Sequence, residues 1–249
     1  MSLFAGVQFK KAFLWGLISL AVPILFIAYG SLIGRNLFEV KKVDITFENL
    51  PAGFDGYRIV QISDIHASSF IEREDQLGKA VGMINSLEPD LIVFTGDLIT
   101  LSPDELNTLT GPLSELKAKD GVMSVLGNHD YSMYSNASAQ QKEEHLKTLI
   151  AKEKELGWDL LLNENRIIRR GCDSIAVIGV ENTSPSRHFP SKGNLAKASE
   201  GTDGTFRILL SHDPMHWDAE VLTTSADAAS VRTAVFCTLY LARLFNANI

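Results

Sequence analysis

The chain has 249 residues, 45% of them hydrophobic and 21% charged, with a formal net charge of −7. That length provides a sizeable core without disulfide support, and the acidic balance with scattered Lys and Arg argues against a nucleic-acid partner. The two cysteines, Cys172 and Cys237, form no metal-ligand pair; a single disulfide is open but not indicated.

From Ala12 to Gly34 there is no charged residue. Such a stretch is long enough to cross a bilayer as one helix, with Pro23 tolerated and Trp15 and Tyr29 placed as interfacial aromatics. Residues 1–39 are expected to be a tail and a single-pass anchor in the cell membrane. A cleaved signal peptide with Lys10 and Lys11 as its basic region is the rival; the long apolar run and the lack of a small-x-small site weigh against it. Lys10 and Lys11 precede the segment while Arg35, Lys41 and Lys42 follow it, so charge leaves the side of the membrane open.

Beyond the anchor, Val40 to Phe47 alternates apolar and polar residues and reads as a strand. Pro51 to Gly56 is turn-rich, and Tyr57 to Ser63 is a second strand. Leu77, Ala80, Val81, Ile84 and Leu87 follow helical spacing up to Pro89. Leu91 to Phe94 is a continuous apolar run, as in a strand buried on both faces. Ser102-Pro103-Asp104-Glu105 is a helix start, with Leu106, Leu109, Leu113 and Leu116 in one stripe. Val122 to Leu126 reads as a strand and Ala139 to Leu156 as a polar helix with Leu146, Leu149 and Ile150 inward. Strands follow near Asp159–Leu162, Arg166–Arg170 and Ser174–Val180, then a surface excursion from Asn182 to Gly204. A short buried strand, Phe206 to Leu210, ends at Ser211-His212-Asp213-Pro214. Strands and helices alternating through the first half predict α/β layers.

Polar groups recur where these strands end. Asp64 and His66 stand two apart, so in extended backbone both face one way and both can reach one ion; taken alone the pair is as ordinary as any surface or core pair. Gly96 lets the backbone turn sharply before Asp97, which serves equally as a cap for the next helix. In Gly127-Asn128-His129-Asp130, Asn128 offers a neutral oxygen, His129 can donate a proton and Asp130 can hold its ring. A turn capped by Asn and Asp is the simpler alternative.

Taken together and in this order, with Ser211-His212 behind the last strand, these motifs resemble those of the calcineurin-like metallophosphoesterase superfamily, in its membrane-anchored bacterial branch. The resemblance runs from about Val40 to Leu222. It implies an α/β (α+β layered) fold, a four-layer β-sandwich flanked by helices, over residues 40–222. It also implies two divalent ions, Mn, Fe or Zn: Asp64 and His66 on the first, Asp97 bridging, Asn128 and His212 on the second. His129 would lie outside the ligand set, stabilising the phosphoryl group or protonating the leaving group, with Asp130 orienting it. A hydroxide between the ions would attack phosphorus in line. By analogy with related enzymes that cleave the pyrophosphate of UDP-2,3-diacylglucosamine, a lipid-linked phosphodiester or pyrophosphate is the expected substrate.

The chain departs from the family pattern at Ala67, Ser68 and Thr100, none of them a ligand position. It departs more deeply at its end: no histidine follows His216, so the Gly-His-x-His motif that gives one histidine to each ion is missing. Residues 223–249 are expected to be foreign to the fold, through a frameshift or the truncation of a longer parent. The alternative function is then a metal-deficient chain surviving as a binding module or remnant. Of the remaining histidines, His216 is read as a packing or surface residue, His145 as solvated and His188 as a loop residue.

Overall fold

The computed structural model describes residues 2–186, 188–222, 231–235 and 240–246, with side chains from 10 to 186 and from 188 to 222. Two compact units divide the chain, residues 1–39 and 40–249. The first is built on helix α1 (Ser2–Leu32), which contains Pro23. The span Lys10–Asn36 is long and apolar enough to cross a membrane.

The second unit carries two sheets. Strands β1 (Lys41–Phe47), β2 (Tyr57–Ile62), β3 (Leu91–Phe94), β4 (Val122–Ser124) and β5 (Asp159–Leu160) belong to the first. Strands β6 (Glu164–Arg170), β7 (Asp173–Gly179) and β8 (Phe206–Leu210) belong to the second. Parallel pairing runs through β2, β3, β4 and β5, in a register that sets Ile59 opposite Leu91 and Ile92 opposite Val122. Two further strands fall in the segment whose composition sets it apart. β9 (Val231–Val235) lies parallel to β8, and β10 (Tyr240–Asn246) lies between β1 and β2. The rest of 223–249, with Cys237, lies outside the described residues.

Side-chain alternation sorts the strands into layers. Tyr57, Ile59, Leu91, Val93, Met123 and Val125 point from the first sheet onto Ile175, Val177, Phe206, Ile208 and Leu210 of the second. On the other face of the first sheet, Val60, Ile62, Ile92 and Phe94 pack with Leu77, Val81 and Ile84 of α2 (Glu74–Ser86), Leu113 of α3 (Thr110–Ser114) and Leu149 of α4 (Ala139–Glu155). Ile178 and Leu209 leave the second sheet outward, onto Leu195 and Ala198 of α5 (Leu195–Ala198) and onto Val221. The outcome is helix, sheet, sheet, helix, the four-layer sandwich expected. The Asn182–Gly204 excursion is thus anchored at α5, which buries Leu195 and Ala198.

One expected helix is interrupted. Leu106, Leu109, Leu113 and Leu116 are all buried, yet the backbone breaks into a 3-10 turn, Pro103–Leu106, and the short α3. Pro112 explains it: lacking an N–H and clashing with the carbonyl four residues back, it sits in a first helical turn but not in a helix interior.

Candidate metal centre

The loops leaving the carboxyl ends of β2, β3 and β4 converge with the end of β8, as expected for a site in a parallel sheet. Backbone bonds lock the first two loops together: Asp64 N–H donates to Gly96 O at 3.0 Å, His66 N–H to Asp97 O at 3.1 Å and Ala67 N–H to Leu98 O at 2.9 Å. The approach to the third loop tolerates only glycine. A Cβ on Gly96, where φ is +96°, would stand 2.5 Å from Gly127 N, and one on Gly127 would overlap the Asp97 carboxylate.

Around Asp97 the side chains gather. Its Oδ1 accepts from His129 N–H at 2.9 Å, while Oδ2 lies 3.7 Å from His66 Nε2 and 3.4 Å from His212 Nε2. His66 Nε2 is also 3.7 Å from Asp64 Oδ1, and His212 Nε2 is 3.1 Å from Asn128 Oδ1. Two donors held at about 2.1 Å from one ion stand about 3.0–3.4 Å apart at octahedral or tetrahedral angles. The observed spacings are close to that. Two groups able to hold a metal ion share Asp97: Asp64, Asp97 and His212; and His66, Asp97 and His129. His129 therefore stands among the potential ligands, where the motif pattern had placed it outside them.

Orientation comes from the surrounding atoms. His212 Nδ1 faces Thr95 O at 2.8 Å, which turns Nε2 to the centre. His129 Nδ1 faces Thr100 O at 2.9 Å, and Asn128 Nδ2 donates to Tyr134 Oη at 3.1 Å, leaving Oδ1 for the centre. The Tyr134 ring lies 4.3 Å from that of His129. The Nδ1 atom of His66 is buried without a hydrogen-bond partner.

Asp130 does not orient His129. It is fully buried, and its oxygens accept from the backbone N–H groups of Asp97 (2.8 Å), Leu98 (2.9 Å), Ile99 (3.2 Å) and Gly127 (2.8 Å). It ties the Asp97 loop to the Gly127 loop, and the Thr100 carbonyl holds the imidazole instead. Thr95, Thr100 and Tyr134 carried no signal of this in sequence, because two act through backbone carbonyls that any residue possesses.

Charge at the centre is concentrated. The Asp64 carboxylate holds His66 above its ordinary value despite partial burial. Burial works against charge on His212, but the adjoining Asp97 outweighs it and lifts the ring to about 9. Burial, then the charge of Asp97, pushes Asp130 to about 7 against its backbone hydrogen bonds. Closely spaced carboxylates favour positive charge among them, and a bound cation would compete with the ring protons for the same nitrogen atoms.

The other histidines stand aside. His216 is buried between Ser211 Oγ (3.0 Å) and Glu220 Oε2 (2.9 Å), His145 Nδ1 lies 3.1 Å from Ser132 Oγ, and His188 is exposed.

The family model for calcineurin-like phosphoesterases matches residues 57–235, which include every residue of this cluster. The chain belongs to that family. It is similar to the uncharacterized metallophosphoesterase YkuE of Bacillus subtilis (strain 168), 38% identical over 79% of this chain and 63% of that protein. It is also similar to a transmembrane protein with metallophosphoesterase domain of Danio rerio, 30% identical over 79% of this chain and 44% of that protein. The UDP-2,3-diacylglucosamine pyrophosphatase LpxG of Chlamydia muridarum is 36% identical over 46% of this chain and 35% of its own length. The chain thus spans less than two thirds of each of these relatives.

Proposed function

We propose that the protein is a membrane-anchored hydrolase of phosphoester bonds with a binuclear metal centre. The observation that carries this reading is the position of Asp97 Oδ2, within 3.4–3.7 Å of the Nε2 atoms of both His212 and His66. One carboxylate shared by two donor groups fits a bridging ligand. Asp64, His66 and Asp97 would hold one ion, and Asp97, Asn128 and His212 would hold the other. Such ions neutralise charge on a phosphoryl group and activate water at neutral pH. His129, pinned through Nδ1 by Thr100, is held where its other nitrogen can serve a phosphoryl oxygen or a leaving group. Asp130 acts at one remove, fixing the loops.

A lipid-linked phosphodiester or pyrophosphate is the proposed substrate. Similarity to LpxG supports it. So do exposed apolar side chains on the segments behind the motifs: Ile71 after His66, Leu101 after Asp97, Tyr134 after Asn128 and Met215 after His212. A second reading, kept as the alternative outcome of the test, is a metal-deficient chain acting as a binding module.

Hydrolysis of bis-p-nitrophenyl phosphate with added Mn²⁺ separates the two. The parent chain is expected to turn over and Asp97→Asn to lose at least a hundredfold. Equal rates for both, or a parent that takes up no metal, would leave the binding-module reading standing.

A further inference from the structure

Glu105, read in the sequence only as part of a helix start, stands in the third position of the turn Pro103–Leu106. An ordinary capping box asks such a residue to accept one hydrogen bond, from the N-cap amide. Glu105 accepts four. Oε1 takes the N–H groups of Leu101 (2.7 Å) and Ser102 (3.0 Å), and Oε2 takes those of Thr100 (2.7 Å) and Ser68 (3.1 Å). Only the Ser102 bond belongs to the cap.

The surplus bonds lead into the centre. Ser68 is two residues beyond His66, in the 3-10 turn Ala67–Phe70 that follows His66 directly. Thr100 is three residues beyond Asp97, and its carbonyl meets His129 Nδ1 at 2.9 Å. The two loops touch again at Ser68 Oγ and Thr100 Oγ1, 2.6 Å apart. A single carboxylate thus bonds the loop bearing His66, the loop bearing Asp97 and, through one peptide, the ring of His129.

We propose that Glu105 is a positioning residue of the metal centre, clamping the His66 and Asp97 loops in the spacing that an ion requires. This rests on the metal-centre reading above. Charge-assisted bonds to four amides suit the task, since they are stronger than neutral ones and hold backbone rather than mobile side chains. The clamp also opposes local strain: His66 and Asp97 have φ of 44° and 59°, in the left-handed region.

The test uses the full chain in detergent micelles and two variants. Glu105→Gln replaces one accepting oxygen by an NH₂ group facing two amide donors. Ser102→Ala weakens the same turn by removing its cap bond to Asp104 but leaves the clamp in place. Mn²⁺ affinity is read by calorimetry, and amide hydrogen exchange at Ser68 and Thr100 is read on metal-free protein. The expected result is Mn²⁺ binding weaker by tenfold or more, and faster exchange at both amides, in Glu105→Gln, with Ser102→Ala within about threefold of the parent. Parent-like affinity and exchange in Glu105→Gln, or an equal loss in Ser102→Ala, would overturn the proposal. A parent that binds no Mn²⁺ removes the metal-centre reading, and exchange at Ser68 and Thr100 then decides the clamp alone. Should Glu105→Gln fail to fold, Glu105→Asp, with its shorter reach, takes its place under both readouts.

Discussion

Asp64, His66 and Asp97 have φ of 53°, 44° and 59°, a region that costs a residue with a Cβ about 1–2 kcal/mol. Three such residues within one cluster are maintained by what surrounds them: the amides gathered on Asp130, those gathered on Glu105, and the close passage of Gly96 by Gly127. That passage leaves no room for a methyl group. In Gly127→Ala the new Cβ would overlap Asp97 Oδ1 and stand 2.6 Å from Asp97 N, so the Asp97 carboxylate must move. Overpacking of this kind costs about 1–3 kcal/mol. Gly127→Ala should therefore unfold at lower temperature and, because Asp97 serves both donor groups, bind Mn²⁺ at least tenfold more weakly. Thermal unfolding and Mn²⁺ titration check the two effects, and normal affinity in a destabilised variant would separate Gly127 from the centre.

Elements differ in how much of their role shows in their residues. β3, with four buried apolar residues in a row, and α2, with its regular stripe, announce themselves, because burial on both faces or on one face is written directly in side-chain type. The break before α3 is equally physical but is carried by one residue, Pro112, set against an otherwise helical leucine spacing. The ligand candidates were legible for the same reason as β3: polar groups placed directly after apolar runs. The roles of their supports were not, since Asp130 and Glu105 act by accepting backbone amides, and Thr95 and Thr100 through their own carbonyls, which side-chain type does not announce. Glu153 on α4 is another such case. On an apparently polar helix it is fully buried, with Oε2 2.5 Å from Ser124 Oγ and Oε1 lacking a partner. Burial, and then the charge of Asp130, raises it to about 8. A carboxyl group raised on folding binds its proton more tightly in the folded chain. Stability is therefore intact below its unfolded value near 4.5 and is lost as pH rises through about 8. Each tenfold difference in proton affinity is worth about 1.4 kcal/mol. Glu153→Gln, neutral throughout, should lose less stability than the parent between pH 5 and pH 8.5 in urea unfolding. Parallel pH profiles would show that Glu153 is solvated in the folded protein.

At the scale of the whole molecule, sheet order was the least legible property. Pairing of β1 with β10 joins segments about two hundred residues apart, and no local pattern encodes such a partner. The N-terminal apolar segment was the more legible part, because residues 12–34 lack the charges that a water-exposed helix needs. That contrast yields a direct expectation for the anchor. Among side chains described in α1, Leu20, Leu25, Phe26 and Ile27 are all more than 60% exposed, so this unit offers them no protein cover and a bilayer would supply it. The full chain should stay with membranes through an alkaline carbonate wash. Placing aspartate at Leu20 and Ile24 puts two charges near the middle of the span, each costing roughly 2.5–3.5 kcal/mol on insertion scales. The doubly substituted chain should wash free while keeping the Mn²⁺ affinity of the parent, since both changes fall in the unit that does not carry the centre. Release of the unsubstituted chain by the same wash would remove the anchor from the proposed function and with it the membrane as the source of substrate, while the cluster around Asp97 would be untouched.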